Sequence, residues 1–346
     1  KEVRVPTSYC KIAARIDQKV SLNPAHMSPV TTAPDQAARR DRPAWQLASL
    51  PTTLDPPAAE AFCRRVATAH YENFSVVSRL VPADLRQDFA NIYAYARWSD
   101  DLADESGGDA TAVLTDWRQG LDRCFAGRPD HPVFVALART VARHRLAIEP
   151  FADLLDAFLQ DQWCHRYADR GALLAYCRRS ANPVGRLVLA LADCRDTERV
   201  ALSDAICTGL QLINFWQDIR RDRRAGRIYL PAADMQRHDV DETMLDADRA
   251  DPRLAALVRE EVAWARSFFD RGGPLTRTAP RVLRPAIGLF LAGGRGIAAA
   301  IERGRFDTLS RRPTLTRPAR LALVARAAAG VVGGRIGDLL AGRRTG

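Results

Sequence analysis

Lysine is missing from residue 20 onward: the only three, Lys1, Lys11 and Lys19, lie near the start, and arginine supplies the basic charge elsewhere. That change of basic residue, with Met27 opening a polar, proline-containing stretch, makes Met27 the expected natural start and residues 1–26 an added leader or upstream reading frame. The leader's apolar runs are too short for a signal peptide. No apolar run reaches the roughly 18 residues that a spanning helix needs; the least polar stretch, Pro285 to Ile301, is split by Arg295, so no transmembrane helix is expected. There is no C-x-x-C pair and no histidine cluster at zinc spacing. The seven scattered cysteines therefore read as reduced thiols in a cytoplasmic setting, not as a disulfide framework. Cys164-His165 is read as structural, because neighbours on a helix point apart. A net charge of +10 would suit nucleic acid. The arginines come as scattered pairs, however, without interleaved aromatics or a known motif, which excludes nucleic acid and favours small polyanions or lipid head groups. Gly294-Arg295-Gly296-Ile297-Ala298-Ala299 spells a dinucleotide fingerprint but lacks a preceding strand, so it is read as small-residue helix packing.

Alternation with period two is also absent, and what remains is helical. Residues 1–54 read as a disordered lead-in, rich in Pro, Thr and Ala from 27 onward. Asp55-Pro56-Pro57 is a helix start, an N-cap followed by proline. Helical periodicity predicts segments at 56–70, 83–105, 110–125, 131–147, 151–167, 170–192, 197–224, 252–271, 280–304 and 315–341. Residues 55–346 are thus expected to form one all-α domain around an enclosed cavity.

Two of these segments carry unusual polar stripes. In the first, Tyr93, Arg97, Asp100 and Asp104 fall within roughly 60° at about 100° per residue, with Asp101 at the edge. In the second, Gln211, Asn214, Asp218 and Asp222 fall within about 80°. Both stripes are flanked by apolar and aromatic residues, so they are expected to face an interior hollow rather than solvent. Two carboxylates at i and i+4 repel one another when both are ionised, and such a face gains from a cation. Magnesium takes one or two carboxylates plus substrate phosphate oxygens and keeps its remaining waters. Two acidic helices facing each other could hold such ions around a diphosphate, with Arg97 and the pairs Arg220-Arg221 and Arg223-Arg224 assisting. Trp98, Phe215 and Trp216 are read as core.

Between Phe62 and Leu309 the chain resembles the squalene/phytoene synthases, which join prenyl diphosphates head to head. His70-Tyr71-Glu72-Asn73-Phe74-Ser75 is similar to the family's entry segment, and Asp100 to Asp104 to its first aspartate motif. Tyr176-Cys177 with Pro183-Val184-Gly185 resembles its substrate-channel helix. Gln211, Asn214, Asp218 and Asp222 match the second motif, and Arg227-Ile228-Tyr229-Leu230-Pro231 matches the family's segment just after that motif. The resemblance implies an isoprenoid-synthase-like helical bundle around a central cavity. It implies Mg2+ on Asp100, Asp101, Asp104, Asn214, Asp218 and Asp222, and catalytic roles for Asp100, Asp104, Tyr176, Asn214, Asp218 and Asp222. His70, Asn73, Phe74, Tyr93, Arg97, Gln211 and Arg227 would then contact substrate, and Tyr93, Phe74 and Tyr176 would stabilise cations through their rings.

Arg178-Arg179, Ser180-Ala181-Asn182-Pro183-Val184-Gly185 and Arg305-Phe306-Asp307-Thr308-Leu309 resemble most the bacterial hydroxysqualene synthase branch. That branch implies presqualene diphosphate as substrate, with hydroxysqualene and diphosphate as products. The alternatives are a condensing synthase making presqualene diphosphate, squalene or a phytoene-like product, and a non-catalytic scaffold. Pro183 removes a helical hydrogen bond and bends its helix. Asn182 then either presents its amide to the cavity, as a substrate contact, or bonds the freed backbone. Long hydrocarbon substrates and products imply peripheral membrane contact, for which the Arg-rimmed segment 315–341 is one candidate and core packing of that helix the other.

Overall fold

The computed structural model describes residues 50–51, 53–69, 80–105 and 109–342, the side chains of 69, 105 and 332–342 excepted. The lead-in up to residue 49 and the candidate contacts His70, Asn73 and Phe74 lie outside the described residues. No strand occurs among those described. The helices are α1 Pro56–Ala69, α2 Arg86–Glu105, α3 Ala110–Phe125, α4 Pro132–His144, α5 Glu149–Gln160, α6 Arg170–Ser180 and α7 Asn182–Leu191. They continue as α8 Thr197–Gln217, α9 Ile219–Arg224, α10 Ala232–Arg237, α11 Pro252–Gly272, α12 Leu275–Thr278, α13 Arg284–Arg303 and α14 Arg317–Gly342.

Aspartate caps set many of the starts. The Asp55 carboxylate accepts from the Ala58 N–H ahead of α1, and Asp109, Asp169, Asp196 and Asp251 do the same for α3, α6, α8 and α11. His131 caps α4 through Nδ1, with Pro132 at the first helical position.

Three expected helices are shorter or broken. The segment from 151 ends at Gln160, so Cys164 and His165 lie in a loop, not on a helix. The segment 170–192 stops at Ser180 and restarts at Asn182, because Pro183 can only sit in the first turn of a new helix. The segment 197–224 is interrupted at Asp218, whose φ of −111° and ψ of 14° end α8. No disulfide joins the six described cysteines to one another.

Two apolar cores adjoin. One lies among α1 to α5 and contains Phe62, Trp98, Leu121, Phe134 and Leu155. The other surrounds α8, α11 and α13 and contains Leu212, Phe215, Trp216, Phe269 and Ile301. Helix α7 belongs to both: Leu187 and Leu191 enter the first core, and Leu189 enters the second. Trp98, Phe215 and Trp216 are core residues, as their setting in the sequence suggests.

By length and composition, α13, which carries the least polar stretch of the chain, is the one helix among the described residues apolar enough to cross a membrane. More than half of that stretch is buried inside the protein. Its glycines explain why: a Cβ on Gly294 would lie 2.6 Å from Phe269, and one on Gly296 would lie 2.6 Å from Leu315. The Gly294-Arg295-Gly296 pattern is close helix packing.

Candidate active site

The rotation of α2 about its axis decides where its acids point. On one face Asn91 donates to the Ala136 carbonyl, and the Tyr95 hydroxyl donates to the Phe151 carbonyl at 2.8 Å. The Ser99 hydroxyl accepts from the Trp117 indole at 2.9 Å. These buried bonds pin that face to α3, α4 and the start of α5. Tyr93, Arg97, Asp100 and Asp104 are therefore turned to the opposite side. There Asp100 and Asp101 are each about 1% exposed, and Arg97 pairs with Asp101 and lies 3.5 Å from Asp100.

The second stripe survives the break in its helix. Asp222 donates its N–H to the Asp218 carbonyl at 2.8 Å, so the two acids keep an i,i+4 turn between α8 and α9. Gln211, Asp218 and Asp222 are buried and Asn214 is half-buried.

Arg227 joins the two stripes. Its backbone N–H donates to the Asp222 carbonyl at 2.8 Å, and its guanidinium lies 3.5 Å from the Asp104 carboxylate. Burial opposes its charge, but Tyr229, Asp104 and Asp161 hold its pKa above the usual arginine range. The acids of α2 and those after α8 therefore face one locality.

Three groups complete that locality, and two of them, Asp161 and Arg312, had no signal in the sequence. Asp161 caps the C-terminus of α5, is 5% exposed and accepts from the Tyr176 hydroxyl at 2.8 Å. Its other oxygen, Oδ1, is buried without a hydrogen-bond partner. Burial raises its pKa to about 7; Arg227 and the Tyr176 bond pull it down, and Asp104 and Asp100 push it up. Tyr229 stacks on Phe215 at 3.8 Å and on Tyr167 at 5.7 Å, and Tyr176 leans on the same group. The four rings line an aromatic wall beside Asp161. Burial raises the Tyr176 and Tyr229 hydroxyls far above their ordinary range, so both stay protonated.

The third group is Arg312, whose Nε donates to Asp218 at 2.6 Å. Burial lowers its pKa to about 10 and Asp222 offsets part of that. The turn that delivers it is strained, with Arg305 and Phe306 at φ of 56° and 60°. Asp307 holds this turn by accepting from the backbone N–H groups of Ala250, Leu309 and Ser310. Left-handed non-glycine residues do not announce themselves in a sequence, and Arg312-Pro313 reads there as a helix breaker.

Asn182 is buried, and its amide oxygen accepts from the Thr208 hydroxyl at 3.0 Å. Gly185 lets α7 and α8 touch, since a Cβ there would lie 2.4 Å from Ser203. Tyr93 is half-buried on the α2 stripe. Arg220 and Arg223 do not serve the site: they bind Asp248, Asp246 and Glu242, and Arg224 is exposed. Among the described residues no three acidic, imidazole or thiol groups form a ready-made metal cage. The donor set instead offers paired carboxylates on two elements, which fits an ion that completes its shell with waters and phosphate oxygens.

The profile of the squalene/phytoene synthase family matches residues 67–319. A 15-cis-phytoene synthase of Synechococcus elongatus is 30% identical over 287 residues, covering 78% of this chain and 91% of the relative. A hydroxysqualene synthase of Zymomonas mobilis is 39% identical over 173 residues, 48% of this chain and 56% of the relative. Among solved structures, the squalene synthase HpnC from Alicyclobacillus acidocaldarius superposes with a TM-score of 0.71 at 43% identity, covering 75% of this chain and 97% of that one. A dehydrosqualene synthase in complex with ligand superposes at 0.72 with 23% identity, over 81% and 100%, a likeness of fold.

Proposed function

The chain belongs to the squalene/phytoene synthase family, and from that premise we propose that it converts presqualene diphosphate and water to hydroxysqualene and diphosphate. The observation that carries a prenyl-diphosphate chemistry is Arg227, which ties Asp104 to the backbone of Asp222 and so sets two buried acidic turns around one point. The branch assignment rests on the residues 178–185 and 305–309 and on the similarity to the Zymomonas enzyme.

Asp100, Asp104, Asn214, Asp218 and Asp222, with Asp101 beside them, are the residues to hold magnesium. Bound there, the ion neutralises the diphosphate and stabilises it as a leaving group. Arg97, Arg227 and Arg312 place three guanidiniums among these acids and turn them to phosphate oxygens when the acids take up cations. The substrate's C–O bond breaks with its electron pair leaving on diphosphate, and the cyclopropylcarbinyl cation rearranges. The wall of Tyr176, Phe215, Tyr229 and Tyr167 excludes bulk water and offers ring faces to that cation. Water then forms the new C–O bond and releases one proton, which the ionised form of Asp161, present at neutrality with its pKa near 7, accepts through the Tyr176 hydroxyl.

A condensing reading is favoured by the phytoene synthases, which match a longer part of the chain than the Zymomonas enzyme does. Incubation with magnesium and either farnesyl or presqualene diphosphate separates the two. Turnover of farnesyl diphosphate to presqualene diphosphate would reject the hydroxysqualene assignment. A non-catalytic scaffold would have no reason to keep five buried or half-buried ligating side chains. Asp218→Asn is expected to lower diphosphate release by ~100-fold or more with the circular dichroism spectrum unchanged; release at the parental rate would remove Asp218 from the site.

A further inference from the structure

Helices α13 and α14 leave between them a groove of about 710 Å³ that shares no residue with the aspartate site. On α13 it is lined by Arg284, Gly288, Leu291 and Arg295, which recur every three to four residues and so share one face. That face lies opposite Gly293, Ile297 and Ile301, although Leu291 at its edge is buried and joins the core as well. Helix α14 closes the other side with Leu323, Arg326 and Ala327. The floor is apolar and open: a Cβ on Gly288 would meet nothing within 4 Å.

Four arginines, 281, 284, 295 and 326, stand around this floor, and among the described residues no carboxylate lines it. Arg295 reaches away to Asp270 at 2.8 Å, and Arg284 is held by the Ala279 carbonyl. Val282 and Leu321, two of the few large apolar side chains left exposed, lie next to the same segments at 43% and 45% exposure. Guanidiniums around an apolar slot, with bare aliphatic side chains beside them, suit a molecule that is anionic at one end and hydrocarbon at the other. The chain's net charge of +10 draws it toward a surface of the same sign as that head.

We propose that this groove binds an anionic phospholipid, its phosphate among Arg281, Arg284 and Arg326 and an acyl chain along the Gly288 floor, and thereby holds the protein on an anionic bilayer. This site is independent of the catalytic reading and can fail without it.

Sedimentation of the full chain with vesicles tests it. Binding is expected with phosphatidylcholine containing phosphatidylglycerol, absent with phosphatidylcholine alone, and weakened by salt. Arg281→Gln with Arg326→Gln should lower the partition coefficient about thirty-fold, roughly five-fold for each arginine removed from the surface. Gly288→Trp fills the floor at unchanged charge and should also weaken binding. Arg128→Gln with Arg139→Gln removes the same charge from exposed positions elsewhere and should change binding less than two-fold, ~2-fold being the limit for a charge held off the surface. All variants should release diphosphate from detergent-dispersed substrate at the parental rate, which shows that they fold. Binding to neither vesicle, equal binding to both, equal loss in the Arg128 and Arg139 control, or parental binding by Gly288→Trp would each overturn the proposal.

Discussion

Asp161 shows how much one side chain can hold that its sequence neighbours do not reveal. Its carboxyl sits in the protein with a pKa of about 7 against an ordinary 3.8, burial being the main cause. The folded state therefore binds this proton more tightly than the unfolded chain does. Stability due to the group is fully present below the ordinary value and is lost as pH rises through about 7. Asp161→Asn keeps an oxygen for the Tyr176 hydroxyl and cannot ionise. Its melting temperature should match the parent near pH 3, below the ordinary carboxylate value, and exceed it by a margin that grows until about pH 7. The ceiling is about 4 kcal/mol for a shift of that size. A margin that stays the same from pH 3 to pH 8 would show that burial does not raise the pKa of this carboxyl. Asp161 could not be picked out beforehand because it lies alone in Gln160-Asp161-Gln162-Trp163, with no second acid at helical spacing. Its partner Tyr176 is brought to it by the fold.

At the scale of elements, the two polar stripes were legible because a helix converts spacing directly into direction, and both stripes stood out against apolar flanks. The places where helices stop were less so. Pro183 marked the neighbourhood of one break but implied a bend, whereas the chain ends α6 and begins α7. Nothing marks the break at Asp218, where no proline or glycine is present and the i,i+4 bond to Asp222 survives the change of direction. The turn at 305–313 is the least legible element, since its course depends on Asp307 binding three backbone N–H groups. Asp307→Ala leaves those donors without their acceptor and should cost about 2–3 kcal/mol in urea unfolding. The same change loosens Arg312, so KM for the prenyl diphosphate should rise more than kcat falls. Asp307→Asn retains the accepting oxygen and should recover most of both; no recovery would mean that the turn is held by something other than these bonds.

The molecule as a whole is a pair of cores with the acidic turns drawn from both sides, α2 from one and the end of α8 from the other. A ligand that joins the turns should therefore steady the entire chain. Magnesium with inorganic diphosphate at about a hundred times its dissociation constant is expected to add ~2.7 kcal/mol, near 5 °C in melting temperature. Diphosphate without the metal should give little, and Asp104→Asn should erase the shift; a full shift in the presence of a chelator would contradict a metal-held diphosphate. Helix α7 governs how the substrate can come and go. With Leu187 and Leu191 in one core and Leu189 in the other, swinging the two sides apart like the jaws of a hinged enzyme would pull α7 out of one of them. Traffic of a long prenyl chain has to be managed by small local parts, while the frame around them stays still.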